Sequence, residues 1–222
     1  MFGPAVEDYV KAIYELGGGT RRVTPTAVAT ALSVSMPAVT KMVRRLGELR
    51  LVTYGRAEGI ALTPSGTKVA LEILRHHRLI ELYLKEALGY SWDRLHDEAE
   101  ELEHHISEEF EDRIDRMLGH PTHDPHGEPI PTKDGRIEDL PRLTLAELSP
   151  GERVRVARVS DRDPAMLRYL GELGLYPETI VEVLERAPYG GPLRLLVAGA
   201  PCDVGEELAQ NVFVLRPEVA GR

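Results

Sequence analysis

The chain has 222 residues, one cysteine and a formal net charge of −9. That length allows one large domain or a few small ones. The lone Cys202 excludes an internal disulfide, and no Cys-x-x-Cys pair offers a thiolate zinc site. No apolar run approaches the ~20 residues of a membrane span, and no basic stretch leads into an apolar one as in a signal peptide. A cytoplasmic protein without membrane contact is therefore expected. The net charge hides a strong polarity. Residues 20–78 carry ten Lys or Arg against three Glu, and residues 86–115 carry twelve Asp or Glu against two Arg. One segment is suited to polyanions and another to cations.

Residues 5–16 predict an amphipathic helix, with Val6, Tyr9, Val10, Ile13 and Leu16 on one stripe and Gly17-Gly18-Gly19 to end it. Asp8 lies off that stripe and reads as an exposed acid near a helix start. Thr24-Pro25 opens a short helix, with Thr24 as its cap. Ser35-Met36-Pro37 opens a second, basic helix buried through Val39, Met42, Val43, Leu46 and Leu49. Together they predict a helix-turn-helix, with Thr24, Ser35, Pro37, Ala38, Thr40, Lys41 and Arg44 as its DNA-binding residues. Residues 51–54 and 60–63 predict a hairpin, a wing with Arg56 at its tip.

Thr63-Pro64-Ser65-Gly66 starts a long helix whose apolar content exceeds what one-sided packing needs. A homodimer interface is expected there. His77 and Glu81 share one of its faces. A further helix is expected from about 93 to 118. On it His96, Glu100, Glu103 and His104 fall at i, i+4, i+7 and i+8, a stripe of imidazoles and carboxylates where apolar residues would normally lie. Such carboxylates repel unless a cation neutralises them. Oxygen and imidazole donors without thiol suit Mn²⁺ or Fe²⁺, and Zn²⁺ less specifically. Residues 119–142 are Pro- and Gly-rich and predict a loop. In it His120, His123 and His126 recur every third residue, either as a metal-loading set or as an ordered surface turn. From 143 the pattern is β, with strands at 153–159, 179–184, 193–197 and 211–215 and a helix near 164–173, a small SH3-like barrel.

The predicted class is mainly α with a small β domain: a winged helix-turn-helix (1–71), a helical dimerisation and metal domain (72–140) and an SH3-like barrel (141–222). DNA binding under metal control is the expected function. A winged-helix regulator of an organic ligand and a carboxylate/His metalloenzyme are the alternatives. An enzyme is not expected. No second Glu-x-x-His completes a di-iron set, and no Gly-x-Ser-x-Gly appears. No small-molecule substrate is expected either.

Several motifs together carry a resemblance. They are Glu7-Asp8-Tyr9 with Ile13-Tyr14-Glu15-Leu16; Val39-Thr40-Lys41-Met42-Val43; Leu62-Thr63-Pro64-Ser65-Gly66; His77-Arg78-Leu79 with Glu81; His96-Asp97-Glu98-Ala99 with Glu103-His104; and His126-Gly127-Glu128-Pro129-Ile130-Pro131. Over nearly its whole length the chain resembles the diphtheria toxin repressor family of metal-dependent transcriptional regulators, in its manganese-responsive branch. The C-terminal part is similar to that family's SH3-like, FeoA-like domain. The resemblance implies a homodimer that represses metal-uptake genes by binding palindromic double-stranded DNA operators when loaded with Mn²⁺, or with Fe²⁺. It implies a primary metal site of Asp8, Glu100, Glu103 and His104, with oxygen ligands where iron-type members carry Met and Cys. It implies an ancillary site of His77, Glu81 and His96, to which the SH3-like domain adds Asp163 or Asp161. Shorter manganese regulators have Glu where this chain has Lys11, so two separate sites are expected rather than a two-metal cluster.

Overall fold

The computed structural model describes residues 2–55, 58–161 and 163–216. Arg56, the expected wing tip, lies outside the described residues. The chain divides into two compact units, Met1–His77 with Glu100–Asp112 and Pro131–Ile137, and Arg78–Ala99 with Arg113–Ile130 and Glu138–Arg222.

The first unit opens with helix α1 (Pro4–Gly17), which buries Tyr9, Val10 and Ile13 as its periodicity requires. α2 (Pro25–Ala31) is capped by Thr24, whose Oγ1 accepts from Ala27 N at 3.1 Å. α3 (Met36–Glu48) follows at 111° to α2, the crossing expected of a helix-turn-helix. Val28, Val39, Val43 and Leu46 close the core between α1, α2 and α3. Strands β1 (Val52–Gly55) and β2 (Gly59–Leu62) pair antiparallel as the wing. α4 (Pro64–Leu88) then begins against the end of β1. Thr63 Oγ1 donates to Arg50 O at 2.7 Å, and a Cβ on Gly66 would lie 2.0 Å from Leu51 O, so only glycine allows that approach. The division between units falls within α4, after His77.

Residues 73–81 of α4 are buried without interruption. The buried run holds Arg75, His76, His77, Arg78 and Glu81 as well as apolar residues, while Leu88 near the end of the helix stays exposed. The expected helix from 93 to 118 is corrected. It is three pieces: a 3-10 turn (Trp92–Arg94), α5 (Leu95–Leu102) and α6 (Glu108–Met117). Ile106 turns inward at the break, and Ser107 restarts the chain by accepting from Phe110 N at 3.2 Å. Glu103 and His104 therefore stand in a turn, and the four-residue stripe is not one helix face.

In the second unit, Leu79 packs with Ile114 and Ile130. The β region is a five-stranded antiparallel sheet of β3 (Arg153–Val159), β4 (Ile180–Arg186), β5 (Leu193–Val197), β6 (Ala200–Val204) and β7 (Val212–Leu215), in the order β6-β5-β4-β3-β7. Register irregularities at Val156/Arg158 and Val183/Glu185 bend β3 and β4. α7 (Pro164–Glu172) and the short α8 (Glu206–Ala209) flank the sheet. Its core holds Val154, Val156, Val181, Val183, Leu193, Leu195 and Leu170. β6 was not expected from the sequence.

Candidate metal centres

In the first unit, α1 meets the turn after α5. Asp8, Glu103 and His104 bring one ligand atom each to within 4.8 Å of one another. His104 is held by two consecutive residues of α1: its Nε2 lies 2.7 Å from Asp8 Oδ1 and its Nδ1 lies 2.8 Å from Glu7 Oε2. Glu103 is fully buried, 3.5 Å from His104 Nε2 through one oxygen. Burial disfavours its ionised form. A hydrogen bond from His77 at 2.5 Å and the Lys11 ammonium outweigh that and leave its carboxyl below the ordinary range. Asp8 is shifted the other way, by burial first, with Glu100 and Glu103 adding to the rise against His104. Crowded carboxylates of this kind gain from a cation.

One cation is already present. Lys11 Nζ, buried, lies 2.5 Å from Glu100 Oε1 and 3.2 Å from His77 Nδ1, and it also meets both oxygens of Glu103. Burial alone would lower its pKa, but Glu103 and Glu100 outweigh burial and raise it, so the ammonium is firmly charged. The four expected primary ligands are therefore divided. Asp8, Glu103 and His104 form one converging set, and Glu100 forms a second with Glu103 and His77, with the Lys11 ammonium between the carboxylates. His77 is engaged with Glu103 and Lys11. Behind these, His76 joins Glu103 O at 3.2 Å and Glu111 Oε2 at 3.2 Å, and Arg75 donates to the same Glu111.

In the second unit a separate cluster gathers on Glu81, which is fully buried. Its Oε1 faces His96 Nδ1 at 3.9 Å and its Oε2 faces His126 Nδ1 at 3.6 Å. Asp161 Oδ2 lies 3.6 Å from His96 Nδ1. Glu81, Asp124 and His126 form one buried donor set within 4.8 Å. Burial first, and then the nearby Glu81, push the Asp124 carboxyl up to about 7 against the opposing pull of His126 and Arg78. Burial would lower His126, yet Glu81 and Asp124 carry it to about 9. Asp163, one of the expected ligands, caps α7 instead by accepting from Ala165 N at 2.8 Å. Asp161 occupies the place beside His96.

His126 is thus neither part of an aligned triplet nor in a surface turn. Its ring is fully buried, whereas His120 and His123 are exposed. It stacks on Trp92 with ring centroids 5.4 Å apart, and Trp92 Nε1 donates to Pro125 O at 3.0 Å. Val159 N donates to His126 O at 2.9 Å, and a Cβ on Gly127 would lie 2.1 Å from Ala157 O. Asp124 Oδ1 accepts from the backbone N–H groups of His126 and Glu128 at 2.7 and 3.0 Å. Glu7, Asp124 and the buried role of His126 were missed from the sequence. The His126-Gly127-Glu128-Pro129 run was a signal for the last. Nothing pointed to Glu7 beyond its place next to Asp8.

On α3, Ser35, Pro37, Ala38, Thr40, Lys41 and Arg44 are all exposed, as the helix-turn-helix reading expects. Thr24 is exposed as well and caps α2 by accepting from Ala27 N.

Known families match this layout in register. Residues 1–60 match the model of the iron dependent repressor N-terminal DNA binding domain, and residues 63–132 that of the iron dependent repressor metal binding and dimerisation domain. The chain belongs to the iron-dependent repressor family. Residues 143–216 match the FeoA domain, which is the SH3-like part. The iron-dependent repressor IdeR of Mycobacterium leprae (strain TN) is 30% identical over 94% of this chain and 95% of its own. A solved manganese-dependent transcriptional repressor in complex with manganese is 38% identical, with a TM-score of 0.88, covering 96% of this chain and 100% of that one. ScaR with bound Zn²⁺ is 35% identical, with a TM-score of 0.80, over 96% and 99%. The family consists of metal-dependent transcriptional repressors, and this member is a metal-dependent DNA-binding regulator, not an enzyme. Among the described residues no single helix is long and apolar enough to cross a membrane.

Proposed function

We propose that this iron-dependent repressor family member responds to Mn²⁺, with Fe²⁺ as the second ion its donors accept. Loaded as a homodimer, it binds palindromic operators of metal-uptake genes in the cytoplasm and represses them. The observation that carries this is the convergence of Asp8, Glu103 and His104, with no sulfur among the donors. The 38%-identical neighbour described with manganese supports the same ion. The domains are placed at 1–71, 72–140 and 141–222, a three-part order supported by the matched segments 1–60, 63–132 and 143–216.

Asp8, Glu103 and His104 would hold the ion, with Glu100 close enough to join them. When bound, the ion supplies positive charge shared between α1 and the 103–105 turn. Asp8 sits on the helix that builds the core behind α3, so a ligand taking Asp8 and His104 together favours one placement of the reading helix. Coupling of this kind is worth typically ~1–3 kcal/mol. The exposed face of α3 then meets base edges, and Lys41, Arg44 and Arg56 meet phosphates. Glu81, His96 and Asp161, with His77 as the resemblance implies, and the buried Asp124 and His126 beside Glu81, are the residues for a second ion.

The test is a titration of operator binding, with operators chosen by selection from random DNA, against each divalent metal and against EDTA. Tightening by Mn²⁺ and loss with EDTA are expected. Equal affinity in both would end the metal reading.

A further inference from the structure

Glu7 is a buried carboxylate in the first turn of α1, and it belongs to neither donor set. Among the described residues its one side-chain hydrogen-bond partner is His104 Nδ1, at 2.8 Å. A carboxylate buried this deeply costs free energy unless it is paired, so the contact has an energetic reason to persist. The other ring nitrogen, Nε2, faces Asp8 at 2.7 Å and Glu103 at 3.5 Å. An imidazole binds a metal through a nitrogen lone pair, and the hydrogen bond made by the other nitrogen decides which one is available. A carboxylate only accepts, so Nδ1 must carry the hydrogen that Glu7 receives.

We propose that Glu7 is a positioning residue for the primary metal site. It accepts the Nδ1–H of His104 and so leaves Nε2, which faces Asp8 and Glu103, as the nitrogen whose lone pair a metal shared with them takes. The proposal rests on reading Asp8, Glu103 and His104 as metal ligands. It adds that two consecutive α1 residues have different duties, Asp8 as ligand and Glu7 as the clamp on the ligand. Glu7 also fixes the ring plane, because both ring nitrogens are then tied to one helical turn.

Two variants of the full chain test it. Glu7→Gln keeps an acceptor and removes the charge. Glu7→Met keeps the length and removes the acceptor. Mn²⁺ dissociation constants are measured for both, with melting curves to confirm folding. Loss of such a partner typically weakens a site roughly 10–100-fold. That loss is expected for Glu7→Met, with Glu7→Gln recovering most of the wild-type affinity. Equal affinity in all three proteins, or a Glu7→Gln as weak as Glu7→Met, overturns the clamp. Nitrogen-15 histidine spectra give a second readout that needs no variant. In the wild-type chain loaded with diamagnetic Zn²⁺, His104 is expected to carry its hydrogen on Nδ1 and the metal on Nε2. Zn²⁺ bound at Nδ1 overturns the proposal. A wild-type chain that binds neither ion ends the metal reading itself. In that case the metal-free spectra still decide whether Glu7 sets the hydrogen on Nδ1.

Discussion

Lys11 places its Nζ 2.9 and 2.7 Å from the two carboxylate oxygens of Glu103, a side chain with no exposed surface. The helix that contributes Asp8 thus also contributes a fixed positive charge to the same carboxylate. Breaking a buried pair by removing one partner typically costs about 3–5 kcal/mol. Lys11→Met is expected to lose stability of that order in metal-free buffer. It is also expected to regain more from Mn²⁺ than the wild type does, because the ion then meets unneutralised carboxylates. Urea unfolding with and without Mn²⁺ measures both. An equal gain in the two proteins would show that lysine and ion do not share Glu103.

His104→Ala and Glu103→Ala remove ligands from the primary cluster and are expected to abolish the tightening of operator binding by Mn²⁺. His104→Ala also strips the buried Glu7 of its partner, so circular dichroism and melting curves accompany the measurement to show that the helices are retained. Fluorescence anisotropy on a labelled operator, with and without metal, is the measurement.

The second cluster has a built-in reporter. Trp92 is the only tryptophan in the sequence and stacks on His126. A metal ion held by Glu81 and His126 is expected to change tryptophan emission as it binds, and His126→Ala is expected to remove that change while sparing the primary site. An emission titration that is identical in wild type and His126→Ala would exclude this cluster as the second metal site.

Lys41 stands exposed on α3. If it contacts a phosphate, Lys41→Ala reduces the slope of log K against log salt by about 1 and weakens binding to all sequences alike. An unaltered slope removes it from the interface.

Glu111 sits between Arg75 and His76. Burial alone would raise its pKa, but His76 and Arg75 bring it down to about 2 from an ordinary 4.5. On acidification the unfolded chain takes up this proton first. The contribution of Glu111 is therefore complete above about pH 4.5 and is lost as pH falls toward 2. By linkage it is worth on the order of 3 kcal/mol. Acid unfolding of Glu111→Gln should show a shallower loss over that window. A profile parallel to wild type would contradict it.

Much of this was legible in residue pattern. The helix-turn-helix, the wing and the strands at 153–159 and 193–197 are local, with period, cap and turn residues all agreeing. The break at 103–107 was only faintly legible: Glu103-His104-His105-Ile106-Ser107 holds no Gly or Pro, although His, Ile and Ser are weak helix formers and Ser107 is a cap residue. Only the inward turn of Ile106, a tertiary event, ends the helix. β6 escaped notice because Pro201 argues against a strand, yet β6 is an edge, where a missing N–H costs nothing. In the sites, residues at helical spacing were found. Glu7 and Asp124 reach their partners through chain reversals that no spacing rule encodes, and Asp161 was reached through the resemblance alone.

Gly127 gives the second cluster a one-sided tolerance. Its neighbour across the gap is a backbone oxygen, Ala157 O, at 2.1 Å from where a Cβ would stand, and its own φ is +85°. Replacing Ala157 leaves that oxygen in place, so the strand side of the contact can drift freely in sequence. Any side chain at 127 must lift the loop and take the His126 ring off Trp92. The spacing of this cluster is thus governed by a position that contributes no donor atom at all.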